Sequence, residues 1–257
     1  MIVTCDRCGY EFEDVYRSTL CPHVAFPAND GNNNFRIHEE AHLSNAPSYD
    51  EDYFLRGKQT GKSLYEDYRW LPNLTIPMAQ VIAGHCDIIR NSERILDFGC
   101  ARGYLVKALR LLKYDAFGTD ISKWAIDNAD EETKPYLKHS LAEESLIQVM
   151  EFDWIIAKDV LEHIPYVSYT ITKLMSAAVR GVFAVVPLSP FDNSAYVIEE
   201  YEADVTHIQR HTLNSWIEMF IRPGWSVEAS YRVPGVKDNY YKPGWERGNG
   251  FITARRI

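Results

Sequence analysis

Two aspartates and two glycines are spaced around a predicted turn between a strand and a helix. The turn is Asp97-Phe-Gly99-Cys-Ala-Arg-Gly103, which follows the apolar run Arg94–Phe98 and precedes a helical pattern. Glycines in such a turn let a ligand come close to the backbone. Asp120 ends the next apolar run, where a carboxylate can accept hydrogen bonds from both hydroxyls of a ribose. The pattern therefore predicts a nucleoside site.

Polar residues at two places further along the chain could exchange a proton with a substrate. The first place is the end of the apolar run Phe152–Ala157, and the second is the stretch 204–216. The candidate catalytic residues are Asp159, His163 and His207. A carboxylate, or an imidazole that is neutral near pH 7, can serve as a general base. The alternative interpretation is a helix-starting aspartate and two structural histidines.

A C-x-x-C pair and a C-x-H pair lie within the first 25 residues. Tetrahedral zinc accepts three thiolates and one imidazole, and metal binding could fold a segment that has no core of its own. The sequence therefore predicts a structural Zn2+ site, and the alternative is a set of reduced cysteines without metal. The predicted ligands are Cys5, Cys8, Cys21 and His23, with His38 or His42 as alternatives to His23.

Short apolar runs alternate with helical patterns from residue 94 onward. The predicted strands are Arg94–Phe98, Asp115–Asp120, Phe152–Ala157, Gly181–Val186, Trp225–Tyr231 and Gly250–Ala254. The predicted helices are Tyr104–Lys113, Trp124–Asp130 and Tyr166–Ala178. This alternation predicts an α/β fold with parallel strands and right-handed crossovers. The last two runs have no helix between them, which predicts a hairpin and therefore one antiparallel strand.

The chain divides into three predicted parts. Residues 1–45 hold the cysteine pairs and a linker rich in turn formers, and residues 46–92 are aromatic with helical periodicity. Residues 93–257 form the predicted catalytic domain, which the helical arm 46–92 is expected to cover. A phosphate-loop interpretation of Gly57-Lys-Gln-Thr-Gly-Lys-Ser63 is rejected, because the first glycine would have to stand at Arg56.

Three motifs follow one another with a regular spacing in the last part. They are Ile95-Leu-Asp-Phe-Gly-Cys-Ala-Arg-Gly-Tyr-Leu105, Phe117-Gly-Thr-Asp-Ile-Ser122 and Phe152-Asp-Trp-Ile-Ile-Ala-Lys-Asp-Val-Leu-Glu-His-Ile-Pro165. They resemble the first, second and fourth motifs of class I S-adenosylmethionine-dependent methyltransferases. The resemblance covers residues 93–257. It implies a Rossmann-like sheet of seven strands with the last strand antiparallel, and S-adenosylmethionine as cofactor.

The resemblance also implies which residues bind the cofactor. It places Asp97, Gly99 and Gly103 around the methionine moiety, Asp120 at the ribose and Ile121 against the adenine. The remaining predicted cofactor-binding residues are Cys100, Lys158, Leu141 and Ala142, together with Tyr65 from the arm. The frequent middle glycine of the first motif is Ala101 here, which narrows the turn. The glycine spacing differs from that of dinucleotide oxidoreductases, so a dehydrogenase is the minor alternative.

The acceptor region is less well defined by the resemblance. The stretch 204–216 is similar to a D-x-x-H segment of small-molecule methyltransferases, which favours His207 as a base or as a residue that positions the acceptor. In that stretch Thr212 is expected to cap a helix. The strand-end segment 187–191 is expected to line the acceptor pocket.

Composition restricts the partners. The 257 residues include 27 basic and 36 acidic ones, and the net charge of -9 disfavours nucleic acid. An odd total of five cysteines argues against a disulfide framework, and the absence of a leader or a long apolar stretch predicts a cytoplasmic protein without membrane contact. The predicted function is methyl transfer to a small-molecule or sugar-like acceptor. The alternatives are a tRNA or protein methyltransferase whose cysteine segment docks the substrate, or a non-catalytic, cofactor-binding partner subunit; the oligomeric state stays open.

Overall fold

The computed structural model divides into two compact units. The described part of the first unit consists of two short strands. The units are Met1–Pro47 and Ser48–Ile257. The structure describes residues 2–4, 11–13, 49–140 and 152–257. In the first unit, β1 (Ile2–Thr4) pairs antiparallel with β2 (Glu11–Glu13).

A mixed sheet of seven strands forms the centre of the second unit. Its strands are β3 (Arg94–Phe98), β4 (Asp115–Asp120), β5 (Leu137–His139), β6 (Phe152–Lys158), β7 (Ala178–Pro187), β8 (Trp225–Ser230) and β9 (Asn249–Arg256). The spatial order is β5-β4-β3-β6-β7-β9-β8. Only β9 runs antiparallel to its neighbours, β7 and β8. The predicted α/β fold with a reversed last strand is therefore confirmed.

Helices cover both faces of this sheet. They are α1 (Glu51–Leu55), α2 (Gly57–Thr60), α3 (Pro72–His85), α4 (Tyr104–Leu111), α5 (Lys123–Asp127), α6 (Val167–Ala177) and α7 (Leu213–Phe220). Side chains of α3 and α4 pack on one face with Ile95 and Ile156, while those of α6 and α7 pack on the other with Leu96 and Ile155. Successive residues of a strand point to opposite faces, so two cores flank the sheet. The central strands are apolar runs for this reason.

Side-chain caps begin three of these helices. Asp50 accepts the Tyr53 N–H at α1, and Ser122 accepts the Ala125 N–H at α5. The predicted cap is confirmed at α7, where the Thr212 side chain accepts the N–H of the third helical residue.

The stretch from Gly57 to Ser63, which resembles a phosphate loop, follows the helix α1. A phosphate loop would follow a buried strand, so the rejection of that motif is consistent with the structure. Among the described residues, none of the helices combines the length and the apolar character needed to cross a membrane.

Candidate functional site

The loop after β3 folds back over the end of β4. Its residues Gly99, Ala101 and Gly103 all have positive φ angles, of 79°, 49° and 74°. The N–H groups of Gly99 and Cys100 donate to the Thr119 carbonyl at 2.9 and 3.0 Å. Ala101 therefore adopts the left-handed conformation that a glycine would adopt without strain, at a cost of roughly 1 kcal/mol. The loop is held tightly against the neighbouring strand.

Asp120 connects this loop to the turn that follows β4. Its Oδ2 accepts the Ala101 N–H and its Oδ1 accepts the Ser122 N–H, each at 2.7 Å. Burial raises the pKa of Asp120, and the two backbone donors oppose that rise. Each carboxylate oxygen keeps a second lone pair. The carboxylate is therefore fixed at the crevice between two parallel strands and can accept further hydrogen bonds.

Two other predicted cofactor residues are close to Asp120. Ile121 follows it in the chain, and the carboxyl group of Asp97 lies near enough to feel its charge. Ile121 is 38% exposed although it is a large aliphatic residue. Asp97 is only 4% exposed, and burial raises its pKa to about 7, with Lys158 lowering it and Asp120 raising it further. A buried carboxyl group of this kind favours a cationic partner. The two carboxyl groups and the exposed aliphatic side chain fit a nucleoside that carries a positive charge, as S-adenosylmethionine does.

The remaining predicted cofactor residues have different surroundings. Cys100 is buried, and a Cβ added at Gly118 would lie 2.7 Å from its Sγ, so the thiol packs against β4. Lys158 pairs with Asp159. Tyr65 packs among the aromatic rings of the arm. Leu141 and Ala142 lie outside the described residues, as do the predicted zinc ligands Cys5, Cys8, Cys21 and His23.

Asp159 follows β6 directly and is held between two lysines. Its φ is 54°, a strained conformation for an aspartate. Lys158 Nζ lies 2.5 Å from Oδ2, and Lys237 Nζ lies 2.7 Å from Oδ1. Despite burial, the two ammonium groups lower the pKa of Asp159 far below its usual range. Asp159 is therefore charged and already paired. Lys237 was not among the predicted residues, because it stands 78 positions away in the chain.

The two predicted histidines lie together beyond Asp159. The ring centroids of His163 and His207 are 4.7 Å apart. His163 Nδ1 lies 2.7 Å from Thr206 Oγ1, and His207 Nδ1 lies 2.9 Å from the Tyr201 carbonyl oxygen. Burial lowers the pKa of both imidazoles. Both are therefore neutral near pH 7.

Glu162 belongs to the same cluster. It is 2% exposed, and its Oε2 is buried without a hydrogen-bond partner. Burial raises the pKa of this carboxyl group, and the charge on Asp159 raises it further. The resemblance included Glu162 within a motif but gave it no role, and the orphaned oxygen is visible only in the folded chain.

The part of the arm that precedes α3 contacts the loop after β3, the turn after β4 and the segment that carries His207. Tyr53 Oη donates to Asp204 Oδ2 at 2.9 Å, and Ser122 Oγ donates to the Tyr49 carbonyl at 2.6 Å. Arg102, in the loop after β3, donates to the Tyr68 carbonyl at 3.1 Å. The arm is thus anchored at the loop after β3, at the turn after β4 and next to the two histidines.

The strand order with its reversal between β3 and β6, the glycine loop after β3 and the carboxylate at the end of β4 define a Rossmann-like methyltransferase fold. A family profile described as a methyltransferase domain matches residues 76–230. Because the match spans more than half of the chain, the chain belongs to this family. A search of curated protein sequences finds no match.

Solved structures show a similar fold at low sequence identity. A SAM dependent methyltransferase from Archaeoglobus fulgidus is 16% identical, with a TM-score of 0.55 over 69% of this chain and 92% of its own. The plantazolicin methyltransferase BamL, solved with a triazolic desmethylPZN analog and SAH, is 15% identical, with a TM-score of 0.54 over 72% and 85%. The [4+2]-cyclase SpnF is also 15% identical, with a TM-score of 0.51 over 70% and 81%. The fold alone therefore does not prescribe one reaction.

Proposed function

We propose that the protein transfers a methyl group from S-adenosylmethionine to a small-molecule or sugar-like acceptor. Membership of the methyltransferase domain family supports methyl transfer. The net charge of -9 disfavours a nucleic-acid acceptor, since phosphate binding needs a concentrated positive surface.

The contacts of Asp120 carry the proposal. The two backbone N–H groups at 2.7 Å fix its carboxylate at the end of the second strand. A carboxylate in that position can accept hydrogen bonds from both ribose hydroxyls. We assign Asp120 to the ribose, and the exposed side chain of Ile121 to the face of the adenine.

The methionine end of the cofactor is assigned to the loop after β3. Gly99 and Gly103 leave the backbone open to a ligand, and the buried carboxyl group of Asp97 suits the ammonium group of the cofactor. Tyr65 and Lys158 complete the proposed set from the arm and from the end of β6. S-adenosylmethionine, when bound, supplies a methyl group on a positively charged sulfur.

The acceptor is assigned to the carboxyl end of β6. There the neutral imidazole of His207 or His163 takes the proton of an acceptor hydroxyl. Asp159 stays charged between its two lysines and keeps this end of the sheet rigid. The arm excludes water from the crevice through Tyr49 and Tyr53, so that the acceptor is held in one orientation.

Calorimetric titration of the full-length protein with S-adenosylmethionine, S-adenosylhomocysteine and NAD tests the cofactor. We expect micromolar binding of the first two and none of NAD. Asp120→Asn keeps one acceptor oxygen but turns an amide N–H toward a backbone donor. Losing the charged acceptor and placing two N–H donors against each other should together cost about 2–4 kcal/mol of binding free energy. The affinity for S-adenosylmethionine should therefore fall roughly 30- to 700-fold.

Asp127→Asn is the matched control, because this aspartate lies exposed on α5 and pairs only with a surface lysine among the described contacts. The control should bind S-adenosylmethionine like the wild type. Equal affinities for the Asp120 variant and the wild type would contradict the ribose assignment. Binding of NAD alone would favour the dehydrogenase alternative, and binding of neither cofactor would overturn the proposed function.

A further inference from the structure

Three side chains with metal-binding atoms converge at the end of β6. One carboxylate oxygen of Glu162 and one nitrogen from each of His163 and His207 lie within 4.8 Å of one another. Ligand atoms on one ion lie roughly 3–4 Å apart because each bond is about 2 Å long, so small movements of these side chains would bring all three atoms onto one ion. The hydrogen bonds around these residues decide whether the atoms are free to bind.

The proton of the His163 imidazole is fixed by Thr206. The Thr206 hydroxyl donates to Asp204 Oδ1 at 2.6 Å, so it can only accept from His163 Nδ1 at 2.7 Å. The Thr206 carbonyl oxygen, 3.3 Å from the same nitrogen, is also an acceptor. His163 therefore carries its proton on Nδ1, and Nε2 keeps its lone pair.

The His207 imidazole is fixed in the same tautomer. Its Nδ1 lies 2.9 Å from the Tyr201 carbonyl oxygen, which can only accept. Its Nε2 lies 3.9 Å from Asp204 Oδ2, too far for a hydrogen bond. Histidines that bind metals usually donate their second N–H to a carbonyl or to a group held by a carboxylate. Both imidazoles have this arrangement.

Glu162 supplies an independent observation. A buried carboxyl oxygen without a hydrogen-bond partner is costly, and a cation beside it would stabilise the ionised form that the raised pKa otherwise disfavours. The nearby lysines do not meet this need, because Lys158 and Lys237 are both engaged by Asp159. Glu162 is also one of the three residues whose metal-binding atoms lie within 4.8 Å of one another.

The backbone holds the three groups in place before any ion binds. The N–H groups of Ile208 and Gln209 both donate to the Glu162 carbonyl, at 2.9 and 3.0 Å. The segment that carries His207 is therefore tied to the turn that carries Glu162 and His163. Tyr53 Oη donates a further hydrogen bond to Asp204, the carboxylate that also accepts from Thr206.

We propose that Glu162, His163 and His207 bind a divalent transition-metal ion. Two imidazoles and one carboxylate suit zinc, iron, cobalt or nickel, whereas magnesium and calcium prefer oxygen ligands. Three protein ligands leave at least one position open. Resting on the proposed function, we assign that position to an oxygen of the acceptor, whose pKa the ion lowers. This refines the assignment of an imidazole as the base: with the ion bound, the two imidazoles would serve as its ligands, and the lowered pKa of the acceptor hydroxyl would let its proton pass to solvent in place of an imidazole.

Titration of the full-length protein with Co2+, followed by visible absorption, tests this site. All samples carry Cys5→Ser, Cys8→Ser and Cys21→Ser, so that the amino-terminal cysteines contribute no thiolate ligands. We expect one equivalent of Co2+ with visible bands and without a thiolate charge-transfer band. Thr206→Val, which removes an outer partner, should weaken binding about 10- to 100-fold, and Glu162→Gln and His207→Gln should weaken it more.

His211→Gln is the matched control. This residue lies four positions after His207, and its Nε2 is 2.9 Å from the Gln209 side-chain oxygen, outside the three-residue cluster. The control should take up Co2+ like the parent. No uptake by the parent, or equal uptake by the His207 variant, would overturn the metal site. Titration of the same samples with S-adenosylmethionine keeps a failed metal site distinguishable from a failed proposed function.

Discussion

Gly99 is the position where one added methyl group tests the cofactor loop most directly. An added Cβ would lie 2.4 Å from Val160 Cγ2 and 2.8 Å from Val160 Cβ, at a φ of 79°. Gly224 has nearly the same φ, 77°, but an added Cβ there meets nothing within 4 Å. Gly224→Ala is therefore a matched control for Gly99→Ala.

The substitutions change the free energy of unfolding through the same contributions in both variants, except for the contact with Val160. In both, an alanine in the left-handed region costs about 1–2 kcal/mol, and the reduced entropy of the unfolded chain returns about 0.4–1 kcal/mol. Only Gly99→Ala adds overpacking, which costs about 1–3 kcal/mol. The valine is stiff at χ1 and cannot swing away cheaply. We expect Gly99→Ala to lower the free energy of unfolding by about 1–3 kcal/mol more than Gly224→Ala.

Urea unfolding of both variants measures this difference, provided that the m-values stay equal. The double variant Gly99→Ala with Val160→Ala should recover part of the loss, because it removes the closest methyl group. Since Gly99 also belongs to the proposed cofactor loop, Gly99→Ala alone should weaken S-adenosylmethionine binding. Equal destabilisation by the two glycine variants would refute the packing argument.

Three further predictions concern the arm, the loop and the amino-terminal segment. Tyr53→Phe removes a buried hydrogen bond to Asp204 and should lower the free energy of unfolding by about 1–3 kcal/mol in urea titrations. Because burial raises the pKa of Asp97 to about 7, this group gains its charge as the pH rises through about 7, so calorimetry should give tighter binding of the cationic cofactor at about pH 8 than at about pH 6. Cys5→Ser with Cys8→Ser should lower the zinc content measured by elemental analysis by about one equivalent per chain.

Each of these predictions has its own control. Tyr241→Phe changes an exposed ring, 41% accessible, and should leave the free energy of unfolding within about 0.5 kcal/mol of the wild type. Asp97→Asn should bind the cofactor weakly at both pH values; a wild-type affinity that does not change with pH would refute the charge assignment. In the protein without ligand, the raised pKa of Asp97 means that the contribution of this group to the free energy of unfolding is greatest below about pH 4 and falls as the pH rises toward about 7. Zero zinc in the wild type would contradict the amino-terminal site.

The sequence was sufficient to predict the buried strands. It was not sufficient to predict the short edge strand or the contacts between residues that are far apart in the chain. β3 and β4 have the predicted limits. β5 is only three residues long, follows a 3₁₀ turn and lies at the edge of the sheet, so it has no apolar run to mark it. Ala101 was expected to narrow its turn, and its left-handed conformation could not be predicted from the sequence because it depends on the contacts of the loop with Asp120 and Thr119.

Long-range pairing explains most of what could not be predicted at the site. His163 and Thr206 are 43 residues apart, so nothing in the local sequence of the histidine indicates which nitrogen carries its proton. The orphaned oxygen of Glu162 likewise follows from packing around it, and not from its own motif. Residue types and spacing identified the histidines, but only the fold assigned their free nitrogens.

The order of the strands also restricts how a growing chain can fold on the ribosome. β8 leaves the ribosome before β9, yet β9 lies between β7 and β8 in the sheet. Until residues 249–256 emerge, β7 exposes an unpaired edge and β8 has no neighbour to join. Lys237, one of the two cations on Asp159, is also synthesised in this late interval. The end of the crevice that holds Asp159 is therefore assembled last, after β3, β4 and the loop between β3 and α4 are in place.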